Sequence, residues 1–165
     1  ADRGASAADR RSASADDLTG VYRRAAGFVE VERGVARVKA AGLPLVVAFL
    51  DVDGLKRVND LHGHAAGDRL LSEVATCFSA QLLPGDVILR YGGDEFVCMF
   101  AGVDLAGAQA RLAAGSARLQ AGPEGGTVTA GLAELLPEDT AVALVARADR
   151  ALYVERSRRR PPAAS

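Results

Sequence analysis

Two short acidic stretches stand where apolar runs stop. Asp51-Val52-Asp53 follows Leu43 to Leu50, and Asp94-Glu95 follows Gly92-Gly93 between two further apolar runs. Two carboxylates about 4 Å apart repel by roughly 4 kcal/mol at an effective dielectric of about 20. A hard divalent cation removes that cost, and its preference for oxygen ligands and retained waters suits Mg²⁺ (or Mn²⁺) holding a triphosphate. Taken singly, each stretch is also what a turn needs, since Gly and Asp serve tight turns for backbone reasons alone. His62 and His64 lack further nitrogen or sulfur ligands nearby, so loop packing accounts for them better than a metal.

The surrounding pattern says what must position these residues. Phe28, Val31, Val35 and Val38 recur at spacings of three and four, which predicts an amphipathic helix ending near Gly42. Leu43 to Leu50 is short, β-branched-rich and bounded by Gly42 and Asp51, so it reads as a buried strand that delivers Asp51 to a crevice. A second helix after Gly67 carries Leu70, Leu71, Val74, Phe78 and Leu82, and Pro84-Gly85 stops it. Val87 to Tyr91 and Phe96 to Phe100 read as a β-hairpin with Asp94-Glu95 at its tip. Cys98 and Met99 belong to its core side. A third helix is expected from Asp104 to Gln120, with Leu105, Ala108, Leu112 and Leu119 inward. A strand follows over Thr127 to Leu132, then a last helix capped by Thr140 and ending at Tyr153, before the arginines and Pro161-Pro162.

Residues 1–15 read as a flexible lead-in from an upstream region, 16–160 as one domain and 161–165 as a disordered tail. The order α-β-α-β-β-α-β-α predicts an α/β (α+β) fold: a mostly antiparallel sheet with helices on one side, resembling a ferredoxin-like palm.

Composition bounds the function classes. The chain has 165 residues, enough for one domain with a real core, and a formal net charge of -1, which gives no global pull toward nucleic acid or an anionic membrane. Cys77 and Cys98 lack CxxC spacing and sit in apolar runs, so they read as reduced core thiols. The apolar run Leu43 to Leu50 is too short to span a membrane. No secretory leader is visible, so a cytoplasmic domain is expected, and the start at Ala1 leaves room for a signal or domain upstream. The Arg156 to Arg160 cluster has no interleaved aromatics, which speaks against an RNA- or membrane-binding tail.

Five segments occur in order: Asp51-Val52-Asp53-Gly54-Leu55-Lys56; Asn59-Asp60; Gly63-His64 with Gly67-Asp68; Arg90-Tyr91-Gly92-Gly93-Asp94-Glu95-Phe96; and Arg147 to Tyr153. Over Asp17 to Arg160 the chain resembles the diguanylate cyclase family, known by its GGDEF signature. That resemblance implies that Asp51, Asp94 and the Val52 carbonyl bind metal. It implies that Asn59 and Asp68 hydrogen-bond the guanine edge of GTP, which would reject adenine. It places the Gly54 and Leu55 amides and Lys56 along the phosphates, with Gly92 and Gly93 giving the nucleotide room. Glu95 would assist deprotonation of the 3′-hydroxyl. Two copies would face each other, each holding one GTP, to make cyclic di-GMP, and an upstream sensor or dimerising domain would supply proximity.

The chain departs from the family pattern in four places. Arg156 stands for a usual Lys, and Arg159-Arg160 for a Gly-Arg pair. Arg156 and Arg160 keep positive charge for the β/γ-phosphates, although Arg is not a geometric copy of Lys. Arg23 stands for a usual Asn. Leu83-Pro84-Gly85-Asp86 stands where many members carry Arg-x-x-Asp, which binds product, so feedback inhibition through this site is expected to be absent or weak. Two alternatives stay open: a silent module that binds GTP or cyclic di-GMP as a receptor or scaffold, and a single-site nucleotidyl cyclase.

Overall fold

The computed structural model describes residues 13–160. Its elements are β1 (Tyr22–Arg23), α1 (Arg24–Ala41), β2 (Leu45–Val52), α2 (Leu55–His62), α3 (His64–Ser79), β3 (Val87–Arg90), β4 (Glu95–Ala101), α4 (Leu105–Ala121), β5 (Val128–Glu134) and α5 (Ala141–Arg159). The five strands form one sheet in the order β1-β3-β4-β2-β5. Among the described residues only the β1–β3 pairing is parallel; the other three pairings of this sheet are antiparallel. The mixed sheet with five helices is the expected α+β palm.

Both faces of the sheet are covered, which corrects the expectation of helices on one side. All eight residues of β2 are buried. A strand apolar at every position must bury both faces, so it needs helices above and below. Val46, Ala48, Leu50 and Val52 join Leu70, Val74, Phe78 and Leu112 from α3 and α4 in one cluster. Leu45, Val47 and Phe49 join Val31 and Val35 of α1 and Leu144 and Ala148 of α5 in the other. Cys98 and Met99 are fully buried, one in each cluster. Burial pushes the Cys98 thiol up to about 12, which suits an inert core residue.

Several features differ from the sequence reading: α3 begins at His64, before Gly67, and ends at Ser79, short of Leu82. β1 has only two residues, too few for a periodic signal, and the helix α2 was not expected at all. α2 begins after Gly54, whose φ of 68° is left-handed backbone, and ends at Gly63, so glycines at both ends masked it as a loop. α5 runs to Arg159 rather than Tyr153, because arginines are good helix formers and the helix need only end before Pro161. Leu105 is 38% exposed at the start of α4, so it does not join the core. The expected Thr140 cap is present, its side chain accepting from the Ala143 amide, and Asp104 caps α4 in the same way by accepting from the Gly107 amide.

The lead-in 1–15 lies mostly outside the described residues, as does the tail 161–165. Ala15 makes an isolated antiparallel bridge with Tyr22. Among the described residues no helix is long and apolar enough to cross a membrane.

Candidate active site

β2 and β4 are neighbours, and their register pairs Asp51 with Glu95; on the other side β5 pairs Thr129 with Asp51. Directly opposed residues of an antiparallel sheet share a face. Glu95, Asp51 and Thr129 therefore form one row across three strands, continuing the Leu45, Val47, Phe49 face that α5 covers. Asp94 lies one residue further, in the hairpin turn, and its carbonyl accepts the Val52 amide at 2.9 Å. That bond fixes the tip of the hairpin against the end of β2.

Asp51 is 2% exposed. One of its carboxylate oxygens pairs with Arg156 of α5, and the other, Oδ1, is buried without a hydrogen-bond partner among the described residues. A buried carboxylate oxygen left unpaired is costly, and a cation is the natural remedy. The Asp51 and Asp94 carboxylates with the Val52 carbonyl fit the oxygen donor set of a hard divalent ion. Glu95 has its proton affinity raised, first by burial, then by repulsion from Asp94 and Asp149, with Arg24 opposing. Cβ built on Gly92 would fall 2.4 Å from Glu95 Oε1, so a missing side chain there makes space for the Glu95 carboxylate; Gly93 has nothing within 4 Å.

The second residue of the acidic pair behaves differently. Asp53 accepts the Thr127 hydroxyl at 2.8 Å and the Thr129 hydroxyl at 2.7 Å, one on each oxygen. Its amide also donates to the Thr127 carbonyl at 3.0 Å. Both Asp53 oxygens are thus engaged with β5, unlike those of Asp51.

α2 and α3 carry the other expected residues. Gly54 and Leu55 start α2, Lys56 is exposed in its first turn, and Leu55 packs partly against the core. Asn59 Oδ1 is buried without a partner, and Cβ on Gly67 would fall 1.8 Å from it. Gly67 therefore lets α3 approach the Asn59 side chain, while Asp68 beside it is exposed. Arg90 ties the hairpin down: it pairs with Asp16 at 3.3 Å and donates to the Gly93 carbonyl at 2.8 Å. Arg156 and Arg160, with Asp53, Thr129 and Arg159, line a cleft of about 650 Å³ beside Asp51.

The profile of the family described as "Diguanylate cyclase, GGDEF domain" matches residues 13–161, nearly the whole chain. The chain belongs to this family. Among curated relatives, Diguanylate cyclase DgcP of Pseudomonas aeruginosa is 38% identical over 151 residues, covering 87% of this chain but 22% of that protein. The chain thus spans about a fifth of that relative's length. Among solved structures, the GGDEF domain of DgcB from Caulobacter crescentus, in complex with c-di-GMP, superposes with a TM-score of 0.84 at 28% identity, over 90% of this chain and 92% of that one. Diguanylate cyclase SiaD of Pseudomonas aeruginosa, in complex with its activator SiaC, gives 0.84 at 31% identity, over 93% and 62%.

Motif reading missed three features of this GGDEF domain. Thr129 and Arg159 enter through cross-strand register and helix packing, which leave no local spacing signal. Arg24 and Tyr91 are the third: the guanidinium lies 3.8 Å from the Tyr91 ring centre and donates to its hydroxyl at 2.8 Å.

Proposed function

We propose that this chain is a diguanylate cyclase domain, condensing two GTP into cyclic di-GMP with release of two pyrophosphates. The observation that carries the reading is the buried, unpartnered Asp51 oxygen beside Asp94, next to an arginine-lined cleft. Asp51, Asp94 and the Val52 carbonyl would hold a divalent cation, Mg²⁺ or Mn²⁺. Once bound, that cation would offset phosphate charge at the α-phosphorus. Asn59 and Asp68 bind the guanine edge, and the buried, unpaired Asn59 oxygen supports that role. The Gly54 and Leu55 amides, Lys56, Arg156 and Arg160 position the phosphates, which is most of what phosphoryl transfer asks of a protein. The 3′-hydroxyl oxygen attacks the α-phosphorus of the GTP held by the facing copy, and pyrophosphate leaves. Glu95 takes the hydroxyl proton, a task its raised proton affinity suits.

Each copy holds half of the substrate pair, so the active form is a homodimer, and an upstream sensor or dimerising domain would set its population. A cytoplasmic setting supplies GTP and Mg²⁺.

Product inhibition through Leu83 to Asp86 is absent in this reading. Asp86 Oδ2 accepts the Leu83 amide at 2.8 Å and Arg111 at 2.7 Å, and Oδ1 accepts the Ala101 amide at 2.9 Å. With three bonds accepted and its side chain 1% exposed, the Asp86 carboxylate is closed off from a ligand.

A second reading, a silent module that binds GTP or cyclic di-GMP, draws on the Arg156–Asp51 pair, which occupies a metal ligand. Incubating the chain with GTP and Mg²⁺ at several protein concentrations, with products identified by mass, separates these readings. Cyclic di-GMP whose specific rate rises with concentration supports the cyclase. Binding without turnover supports the silent module, and a cyclic monophosphate made at constant specific rate supports a single-site cyclase.

A further inference from the structure

The cleft beside Asp51 holds three arginines, Arg156, Arg159 and Arg160, against a single carboxylate, Asp53. Arg156 is engaged with Asp51. Arg159 is held in another way. Its Nη1 donates to the Thr129 hydroxyl oxygen at 3.4 Å, and its Nε pairs with Glu155, one turn earlier on α5, at 3.5 Å. Thr129 is 2% exposed, and its own hydroxyl proton goes to Asp53. A relay therefore runs from the Arg159 guanidinium through the Thr129 hydroxyl to the Asp53 carboxylate, and each link polarises the next. Both Asp53 oxygens are engaged with threonine hydroxyls, so this carboxylate acts through hydrogen bonds rather than as an open ligand.

The donor count says what Arg159 is available for. A guanidinium has five N–H donors in a planar fork. One is turned to Glu155 and one to Thr129, which leaves three without a partner among the described residues, at the wall of the cleft. A planar cation fixed at one edge, with unused donors at the other, suits a phosphate oxygen pair. The attachment of α5 keeps this geometry firm. Cβ at Gly131 of β5 would lie 2.0 Å from the Leu152 amide, so backbone touches backbone two residues along the strand from Thr129.

We infer that Arg159 is a third phosphate-gripping cation of this cleft, and that Asp53 and Thr129 are the positioning residues that hold it toward the β/γ-phosphates of a nucleoside triphosphate. The inference rests on the GTP reading of the site and adds residues to it. The Asp53–Thr129 pair also joins β5 to the end of β2, so the same contact that orients the Arg159 fork braces the strand end bearing Asp51.

Calorimetric titration of the whole chain with α,β-methylene-GTP and with GMP, in Mg²⁺, tests the assignment. Arg159→Gln should weaken the triphosphate about tenfold, the effect of one lost charge-assisted bond, while GMP affinity stays within about twofold. Thr129→Val should reproduce the loss, Thr129→Ser should restore it, and the Thr129→Val/Arg159→Gln double variant should bind no more weakly than Arg159→Gln alone. Arg159 is more than half exposed, so its variant keeps the fold even if Thr129→Val does not. Unchanged triphosphate affinity in Arg159→Gln, or equal loss for GMP, overturns the inference and leaves the GTP reading standing. A wild-type chain that binds neither nucleotide overturns both.

Discussion

Replacing Arg156 with Gln should tighten divalent metal binding while weakening GTP binding. The Arg156 guanidinium neutralises Asp51 through one carboxylate oxygen, so a cation arriving at the other, Oδ1, competes with it for the same charge. Breaking a fully buried ion pair by removing one partner costs about 3–5 kcal/mol. Here the Asp51 side chain is 3% exposed but that of Arg156 is 51% exposed, so solvent screening reduces the competition to about 1–2 kcal/mol. That range corresponds to about 5- to 30-fold in affinity. Electron paramagnetic resonance of free Mn²⁺, titrated with protein lacking nucleotide, reads the change directly. The same variant should melt about 2–8 °C lower without metal, because Asp51 is left buried and uncompensated, and saturating Mn²⁺ should recover most of the loss. Mn²⁺ affinity equal to or weaker than that of the wild type would refute the competition, and with it the view that Asp51 is a metal ligand masked by Arg156.

Other perturbations read other parts of the structure. Asp86→Ala should lower stability by about 2–4 kcal/mol in thermal denaturation, because two amides and Arg111 lose their acceptor, while turnover in added cyclic di-GMP is unaltered relative to the wild type. Gly131→Ala should cost at least about 2 kcal/mol by pushing α5 away from β5, with activity falling more steeply than helix content by circular dichroism. Burial opposes the charge on Asp139, but the Arg147 hydrogen bond, the Leu136 amide and the charges of Arg147 and Lys39 hold its carboxyl below the ordinary 3.8. A depressed folded-state value means that the unfolded chain binds the proton more readily. This stabilisation is therefore complete above about pH 4 and is lost as pH falls through the folded-state value. Asp139→Asn should flatten that acid limb in urea unfolding and leave the slope near neutrality unchanged.

Much of this architecture is legible along the chain because it rests on local rules. β2 announces itself as an apolar run closed by Asp51, the hairpin by Gly92-Gly93, α4 by its apolar spacing after Asp104, and α5 by the Thr140 cap. What stays hidden depends on contacts remote in sequence. Two-sided covering of the sheet follows from β2 having no polar alternation, a signal present but easily read only as burial. α2 hides because it is short, polar and flanked by glycines. The row Glu95–Asp51–Thr129 was visible only in part: Asp51 and Glu95 can be spotted as acids, but their pairing, and that of Asp51 with Thr129, is a matter of register. The Asp51–Arg156 and Arg159–Thr129 contacts arise because Gly131 lets α5 lie close to β5, which no spacing rule encodes.

A crystal of this chain grown with Mn²⁺ and a non-hydrolysable GTP analogue, measured near the manganese absorption edge, addresses the site most directly. An anomalous peak within about 2.3 Å of carboxylate oxygens from both Asp51 and Asp94, with Arg156 swung off Asp51 toward the phosphates, is the expected result. Ordered nucleotide with no such peak, or a peak whose ligands exclude Asp51, would contradict it.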